Sequence, residues 1–92
     1  MSVEIGGLVF DNVDYDRAVD VLYVDIGDPK RATDWDESPE GHGLRLGVND
    51  ELIGITIVNA RWLLEQDGKI VITLPDGRQL ETTDLGPVLA AA

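Results

Sequence analysis

The chain has no cysteine among its 92 residues, and its other nucleophilic and basic side chains are few. The absence of cysteine excludes disulfides, thiolate nucleophiles and thiolate metal ligands. His42 is the only histidine, and the two serines are Ser2, near the start, and Ser38, in an acidic stretch. Their placement in the sequence offers no credible Ser–His–Asp constellation. We therefore predict no catalytic residue, no cofactor and no metal centre.

Positive charge is also scarce. The chain has seven Lys and Arg residues and eighteen Asp and Glu residues, which give a net charge of −11. A nucleic-acid-binding protein needs a cationic face that neutralises phosphates, and an anionic membrane surface would repel this chain. We therefore predict neither nucleic acid nor membrane as a partner. A basic protein is electrostatically favoured, since opposite charge accelerates encounter. The alternative is that the charge serves only to keep a small domain soluble.

Long hydrophobic runs are missing as well. No apolar run approaches the roughly 20 residues that span a bilayer. The first residues, MSVEIGG, lack the cationic and apolar regions of a signal peptide, so a cytoplasmic location is expected. A length of 92 residues, with 43% hydrophobic and 27% charged residues, is typical of a single folded domain that covers residues 1–92.

Alternation of apolar and polar residues predicts about six short strands. The strands are expected at 8–10, 19–26, 43–48 and 52–58, and in the two arms of a hairpin over 69–83 around Pro75-Asp76-Gly77. A short helix is predicted over 59–68, with Asn59 as its N-cap and Gly68 as its stop. The proline- and glycine-containing stretch 27–42 is predicted to be a loop. The stretch 84–92 is predicted to be a frayed tail or a short terminal helix broken by Gly86-Pro87. The fold class is therefore α+β, mainly an antiparallel β-sheet with one short helix.

The predicted strands also assign faces. Leu22, Val24 and Ile26 form the cleaner apolar set and are expected to face the core, and Trp62 is expected to pack there with the helix. Val21, Tyr23 and Val71 are then left on a half-apolar outer surface. Because exposed apolar surface on a small sheet usually contacts something, we predict self-association, most simply as a two-fold dimer.

Five aspartates crowd residues 12–28: Asp14, Asp16, Asp20, Asp25 and Asp28. A calcium-binding loop needs oxygen ligands at alternate positions and a central glycine. Counted from Asp14, the fifth position is Ala18 and the sixth is Val19, so the pattern fails. We interpret these aspartates as turn and strand residues. The alternative is a carboxylate-based hydrolase whose divalent metal is held by Asp14, Asp16 and Asp20.

Trp35 lies in the predicted acidic loop among Asp34, Asp36 and Glu37. Tryptophan is enriched at the centres of protein interfaces, and acids beside it would attract a cationic partner. These four residues are therefore the predicted partner-binding site. The alternative is a solvated connector, or a loop held by its tryptophan against its own domain.

Two motifs show a family resemblance: YDRAVDVLYVDI (15–26) and GLRLGVNDELIGITIVNARWLL (43–64). Over residues 8–64 the chain resembles the small bacterial family known as domain of unknown function 2283. The resemblance implies a structural role for the motif residues Tyr15, Asp16, Asp20, Leu22, Tyr23 and Gly54. It implies no established activity, although some members resemble antitoxins in their small size and acidity. The hairpin 69–83 lies beyond this family-like core.

The sequence therefore predicts a small acidic protein-binding module without catalytic activity, a partner or antitoxin-like neutraliser of a basic protein. The competing prediction is the metal-dependent hydrolase.

Overall fold

The computed structural model describes residues 2–83 and 85–91, and the described chain is built mainly from short antiparallel strands. The strands are β1 (Val3–Ile5), β2 (Leu8–Phe10), β3 (Asn12–Asp16), β4 (Val21–Asp25), β5 (Asp34–Glu37), β6 (Gly43–Leu46), β7 (Leu52–Val58), β8 (Ile70–Thr73) and β9 (Gln79–Thr82). The helices are α1 (Ala60–Asp67) and α2 (Gly86–Ala91). Every strand pairing is antiparallel, which confirms the predicted α+β class.

The strands form three sheets. β3, β4, β7, β6 and β5 lie side by side in that order in a five-stranded sheet, and the hairpins β1–β2 and β8–β9 are separate. Leu22 and Val24 are fully buried on one face of the five-stranded sheet and Ile26 beyond β4 is half-buried, so the predicted inward face is confirmed. No helix in the described part of the chain is long and apolar enough to cross a membrane.

A single hydrophobic core joins these elements. The five-stranded sheet contributes residues such as Leu44, Ile55 and Ile57, and the first hairpin contributes Ile5 and Phe10. The hairpin beyond the family-like core and the C-terminal helix add a further set to the same core: Ile70, Ile72, Leu74, Leu80, Leu85, Val88 and Leu89. Both hairpins and both helices therefore cover one face of the five-stranded sheet, and its other face stays open to solvent.

The structure holds more strands than the sequence predicts. Gly6 and Gly7 form the turn between β1 and β2 with φ of 58° and 86°. A two-residue hairpin turn of this kind needs positive φ at both positions, which glycine adopts without strain. Of the two alternatives for the tail, the short terminal helix is confirmed, because helix α2 covers most of it; Asp84 and Ala92 of that predicted tail lie outside the described residues.

The predicted loop 27–42 is wrong in its middle, where a 3₁₀ turn at Pro29–Arg31 leads into β5. Asp28 caps that turn by accepting a hydrogen bond from the Lys30 N–H at 2.9 Å. All four residues of β5 are exposed, so this strand has no apolar alternation to reveal it. It is visible only through its pairing with β6 at the edge of the sheet.

The prediction that Trp62 packs into the core is also wrong. Its side chain is 54% exposed, although α1 forms where the sequence predicts a helix. Ala60 is the buried residue of this short helix, and Leu63 and Leu64 pack partly against the core. Trp62 is thus left on the solvent side of α1.

Gly54 provides space within β7 for two side chains from neighbouring strands. It lies opposite Asp25 on β4 and opposite Arg45 on β6. A Cβ atom at Gly54 would collide with Asp25 Oδ1 and would lie 2.5 Å from Arg45 Nη2, far inside contact distance. A glycine inside a strand often marks a bulge or a close approach by other atoms. The register shift lies in β6 at Arg45/Leu46, and the close approach is made by side chains.

We expect Gly54→Ala to lower the free energy of unfolding by about 1–3 kcal/mol, because the new methyl group forces the Asp25–Arg45 pair apart. Gly43→Ala is the matched control, since a Cβ there meets Thr56 Cβ at an ordinary 3.4 Å. Urea unfolding followed by fluorescence measures both variants. Equal stability of the two variants would contradict this role for Gly54.

Candidate functional site

The solvent-exposed face of the five-stranded sheet, named here the outer face, carries two of the aromatic residues that the sequence singles out, Tyr23 and Trp35. One row across the sheet contains Asn12, Asp25, Gly54, Arg45 and Trp35. The next row contains Asp14, Tyr23, Thr56, Gly43 and Glu37. Residues paired across strands point to the same side of a sheet. Tyr23 and Trp35 therefore share the outer face, two residues apart in register.

This face is exposed, aromatic and acidic. The Trp35 side chain is 70% exposed, and those of Tyr23 and Val58 are 37% and 38% exposed. The exposed carboxylates on the same face belong to Asp14, Asp16 and Glu37. Of the predicted partner-binding residues, Trp35 and Glu37 thus lie on the outer face. Asp34 and Asp36 are exposed too, but strand alternation directs them to the opposite side of β5.

An ion pair fills the centre of the outer face. The side chains of Arg45 and Asp25 are only 12% and 16% exposed, and their carboxylate–guanidinium contact is short. The Arg45 Nε also donates to Asp25 Oδ1 at 3.1 Å, and Nη1 donates to Thr56 Oγ1 at 2.8 Å. Arg45 is the only Lys or Arg in the strands of this sheet, and Asp25 neutralises its charge. The outer face is therefore left with a net negative charge.

Asp34 and Asp36 accept hydrogen bonds from backbone N–H groups at the open edge of β5. The Trp35 N–H donates to Asp34 Oδ1 and the Glu37 N–H donates to Asp36 Oδ1, each at 2.8 Å. The Ser38 N–H donates to the His42 carbonyl and so continues the hydrogen-bond ladder between β5 and β6. Backbone groups alternate in direction along a strand, so the N–H groups of Trp35 and Glu37 point away from β6. The two aspartates therefore occupy the outward N–H groups that another strand would use.

Asp20 of the family motif caps helix α1 from a distance. Its carboxylate accepts hydrogen bonds from the Arg61 N–H at 2.8 Å and the Trp62 N–H at 3.1 Å, and its carbonyl accepts from Ala60. Tyr15 donates its hydroxyl to Asp20 Oδ1 at 2.7 Å. The predicted N-cap Asn59 has a φ of 59° and makes no side-chain cap bond, so Asp20 replaces it in that role.

These bonds shift two pKa values. Burial opposes ionisation of Asp20, but the donors from Arg61, Tyr15 and Trp62 outweigh it and lower the pKa of the carboxyl group. Burial and the bond to Asp20 raise the pKa of Tyr15. The pair is therefore a neutral phenol that donates to a stabilised carboxylate, which is a structural arrangement.

The five aspartates of residues 12–28 do not converge. Asp16 caps a turn through the Ala18 N–H at 3.1 Å, Asp20 caps α1, Asp25 pairs with Arg45 and Asp28 caps the 3₁₀ turn, while Asp14 is exposed on β3. In residues 2–83 and 85–91 no three His, Asp or Glu residues are grouped so as to hold a metal ion. The alternative of a metal-dependent hydrolase therefore gains no site from these residues.

The residues predicted to form a self-association surface are separated. Val21 and Tyr23 lie on the outer face in β4, whereas Val71 lies in β8, which belongs to a different sheet. Leu22, the remaining motif residue of β4, is fully buried in the core. Any self-association through Val21 and Tyr23 would use the outer face without Val71.

His42 is a buried polar residue whose importance the sequence does not indicate. Its side chain is 2% exposed, and its Nδ1 accepts a hydrogen bond from the Val58 N–H at 3.1 Å. Burial lowers the pKa of this imidazole, and the nearby charge of Glu40 opposes the shift in part. Glu40 is itself fixed by Thr73, whose N–H and hydroxyl donate at 2.9 and 2.6 Å. Two flanking glycines are the only local sequence signal at His42.

We expect the stability of the protein to fall as the pH falls from about 6.5 through the folded-state pKa of His42. The unfolded state binds the proton more tightly than the folded state, so the contribution of neutral His42 is present above the unfolded pKa and is lost in acid. Urea unfolding at several pH values, compared with the non-titrating variant His42→Gln, isolates this term. Parallel pH profiles for the two proteins would contradict the expectation.

Comparison with known proteins agrees with the motif residues. A family model described as "Protein of unknown function (DUF2283)" matches residues 12–61, which is more than half of the 92-residue chain. No curated protein and no solved structure matches the chain significantly. The matched range contains the Asp20 cap, the Arg45–Asp25 pair with Gly54, and all strands of the five-stranded sheet. The chain therefore belongs to the DUF2283 family of proteins of unknown function.

Proposed function

We propose that this protein is a non-catalytic binding module whose outer face docks a basic protein, in the manner of an antitoxin that neutralises its partner. The observation that carries the proposal is the 70% exposure of Trp35 on an open sheet face that it shares with Tyr23 and Val58. An exposed tryptophan on a rigid strand presents a large apolar surface at low entropic cost.

Charge selects the class of partner. Asp14, Asp16 and Glu37 flank the aromatic centre of the outer face, and Asp25 neutralises the only cation of its strands. The whole chain carries a net charge of −11, so the long-range field also attracts cations. A partner with an apolar pocket and a cationic rim complements this arrangement.

The edge of the sheet is a less suitable docking site than its face. A partner strand that paired with β5 would need the outward N–H groups of Trp35 and Glu37. Both groups already donate to Asp34 and Asp36. We therefore assign different tasks to the acids of residues 34–37: Asp34 and Asp36 protect the edge, and Glu37 contributes to the face.

Self-association is the competing proposal for the outer face. A two-fold contact would bring Asp14, Asp16 and Glu37 close to the same residues of a second copy, and like charges in close contact oppose association. A basic protein meets no such repulsion. Light scattering over a dilution series separates the two, since self-association predicts a species larger than 10.0 kDa that dissociates on dilution.

We expect a pull-down from the native host to retain a basic protein at low salt and to lose it at high salt. Trp35→Ala should weaken retention by about thirtyfold, or about 2 kcal/mol, because it removes the apolar anchor. Trp62→Ala is the matched control, since Trp62 is also exposed but lies on α1, away from the outer face.

Two results would contradict this function. One is the failure to retain any basic protein at low salt. The other is equal retention by the Trp35→Ala and Trp62→Ala variants. Capture of a second copy of the same chain alone would favour self-association instead.

A further inference from the structure

A cavity of about 360 Å³ lies on the other side of the molecule from the outer-face aromatics, between α1, β8 and the segment before β6. Its walls are Glu40, His42, Leu63, Asp67, Lys69, Ile70 and Val71. This volume falls within the range of small-molecule sites, about 300–1,000 Å³. The lining combines three aliphatic residues with four polar or charged ones. None of the residues assigned to the docking of a basic protein lines it.

His42 supplies an unused hydrogen-bond donor to this cavity. Its Nδ1 accepts from the Val58 N–H, which places the ring proton of the neutral imidazole on Nε2. Nε2 has no hydrogen-bond partner among the described residues. Every fully enclosed side-chain nitrogen or oxygen in that part of the chain does have one. His42, a residue that is 98% buried, lines this cavity, and Nε2 is its ring nitrogen without a partner in the described chain.

The fixed tautomer determines what the site can do. With Nδ1 engaged by a backbone N–H and Nε2 protonated, His42 has no free lone pair with which to accept a proton from a ligand. It is thus unsuited to act as a general base and well suited to donate a hydrogen bond. Its natural complement is an acceptor oxygen.

The charges at the cavity disfavour an anion. Glu40 and Asp67 contribute two carboxylates, and the positive charge of Lys69 is shared with Glu81 at 3.9 Å. A carboxylate or phosphate ligand would therefore meet net negative charge, whereas a neutral carbonyl group would not. Leu63 and Val71 provide partly exposed aliphatic surface for the remainder of the ligand, and Ile70, which also lines the cavity, is 1% exposed.

We propose that this cavity is a binding site for a small neutral molecule that directs a carbonyl oxygen to His42 Nε2 and packs a branched aliphatic group against Leu63, Ile70 and Val71. The site is independent of the docking of a basic protein on the outer face.

The first test reads the tautomer in the unmodified protein. Nitrogen-15 NMR of the His42 ring at neutral pH should show a protonated Nε2 and an unprotonated Nδ1. The opposite tautomer would overturn the proposal, because Nε2 would then accept a hydrogen bond and could not donate one to a carbonyl oxygen.

The second test uses isobutyramide as the neutral probe and isobutyrate as its anionic counterpart of the same shape. Isobutyramide should shift the resonances of the His42 ring and of the Leu63, Ile70 and Val71 methyl groups, with an affinity about tenfold higher than that of isobutyrate. No shift at His42 up to the solubility limit, or equal affinity for the two probes, would overturn the proposal.

Two variants locate the binding. Val71→Phe fills the cavity and keeps His42 intact, so it should abolish the shifts at the His42 ring. Leu52→Phe is the matched control, because Leu52 lines a separate cavity of about 680 Å³. His42→Phe should weaken isobutyramide binding by about threefold or more through loss of one hydrogen bond. Unchanged binding in folded Val71→Phe would place the probe elsewhere and refute the assignment.

Discussion

The Asp20 carboxylate at the N-terminus of α1 is the contact on which the arrangement of this fold depends most. Asp20 lies in the tight turn between β3 and β4 with a φ of 56°, a conformation that Asp tolerates better than most residues. From there it satisfies the Arg61 and Trp62 N–H groups, which a helix N-terminus otherwise leaves without partners. This contact joins the edge of the five-stranded sheet to the helix that follows its central strand. The position of α1 then directs the chain, through the turn at Gly68, into the β8–β9 hairpin of the core.

The openness of the outer face follows from this arrangement. Since α1, α2 and the two hairpins all pack on the same side of the five-stranded sheet, the described residues leave the other side uncovered. A sheet face open to water is normally polar, and this one is acidic except where Tyr23, Trp35 and Val58 are exposed. The Arg45–Asp25 pair lies among them, held in place by Thr56 and by the space that Gly54 leaves. The outer face therefore combines exposed aromatic and aliphatic side chains with exposed carboxylates.

The parts of the fold that the sequence predicts correctly are those specified by local patterns. The strand β7, the helix α1 and the hairpin β8–β9 each combine an apolar period with turn or stop residues such as Gly68 and Gly77, whose φ values are positive. The strand β5 could not be predicted in this way, because its four residues are all exposed and its only support is the neighbouring β6. Trp62 shows a related difficulty: in a short helix with few apolar residues, hydrophobicity alone does not indicate which side faces the core.

The roles within the candidate site depend on contacts between distant residues. Asp20 lies 41 residues before its partner Arg61, and Asp25 lies 20 residues before Arg45, so no local pattern connects them. The family resemblance identified Asp20 and Gly54 as structural residues but did not show what they contact. The chemistry of Trp35 and its acidic neighbours indicates a binding residue, whereas nothing in the local sequence indicates that it lies in a strand. Apart from its two flanking glycines His42 carries no local signal, since its burial and the Nε2 atom without a described partner become visible only in three dimensions.

The most direct test of the structural role of these aspartates is an NMR titration of the Asp20 carboxyl group together with the Arg61 and Trp62 amide protons. All three should titrate together, with a pKa below the ordinary 3.8 of an aspartate. Because the folded pKa is lowered, the stabilisation by Asp20 is present above the unfolded pKa and is lost as the pH falls through the folded value. A carboxyl group that titrates at or above 3.8, or amide protons of Arg61 and Trp62 that do not respond to it, would contradict the account.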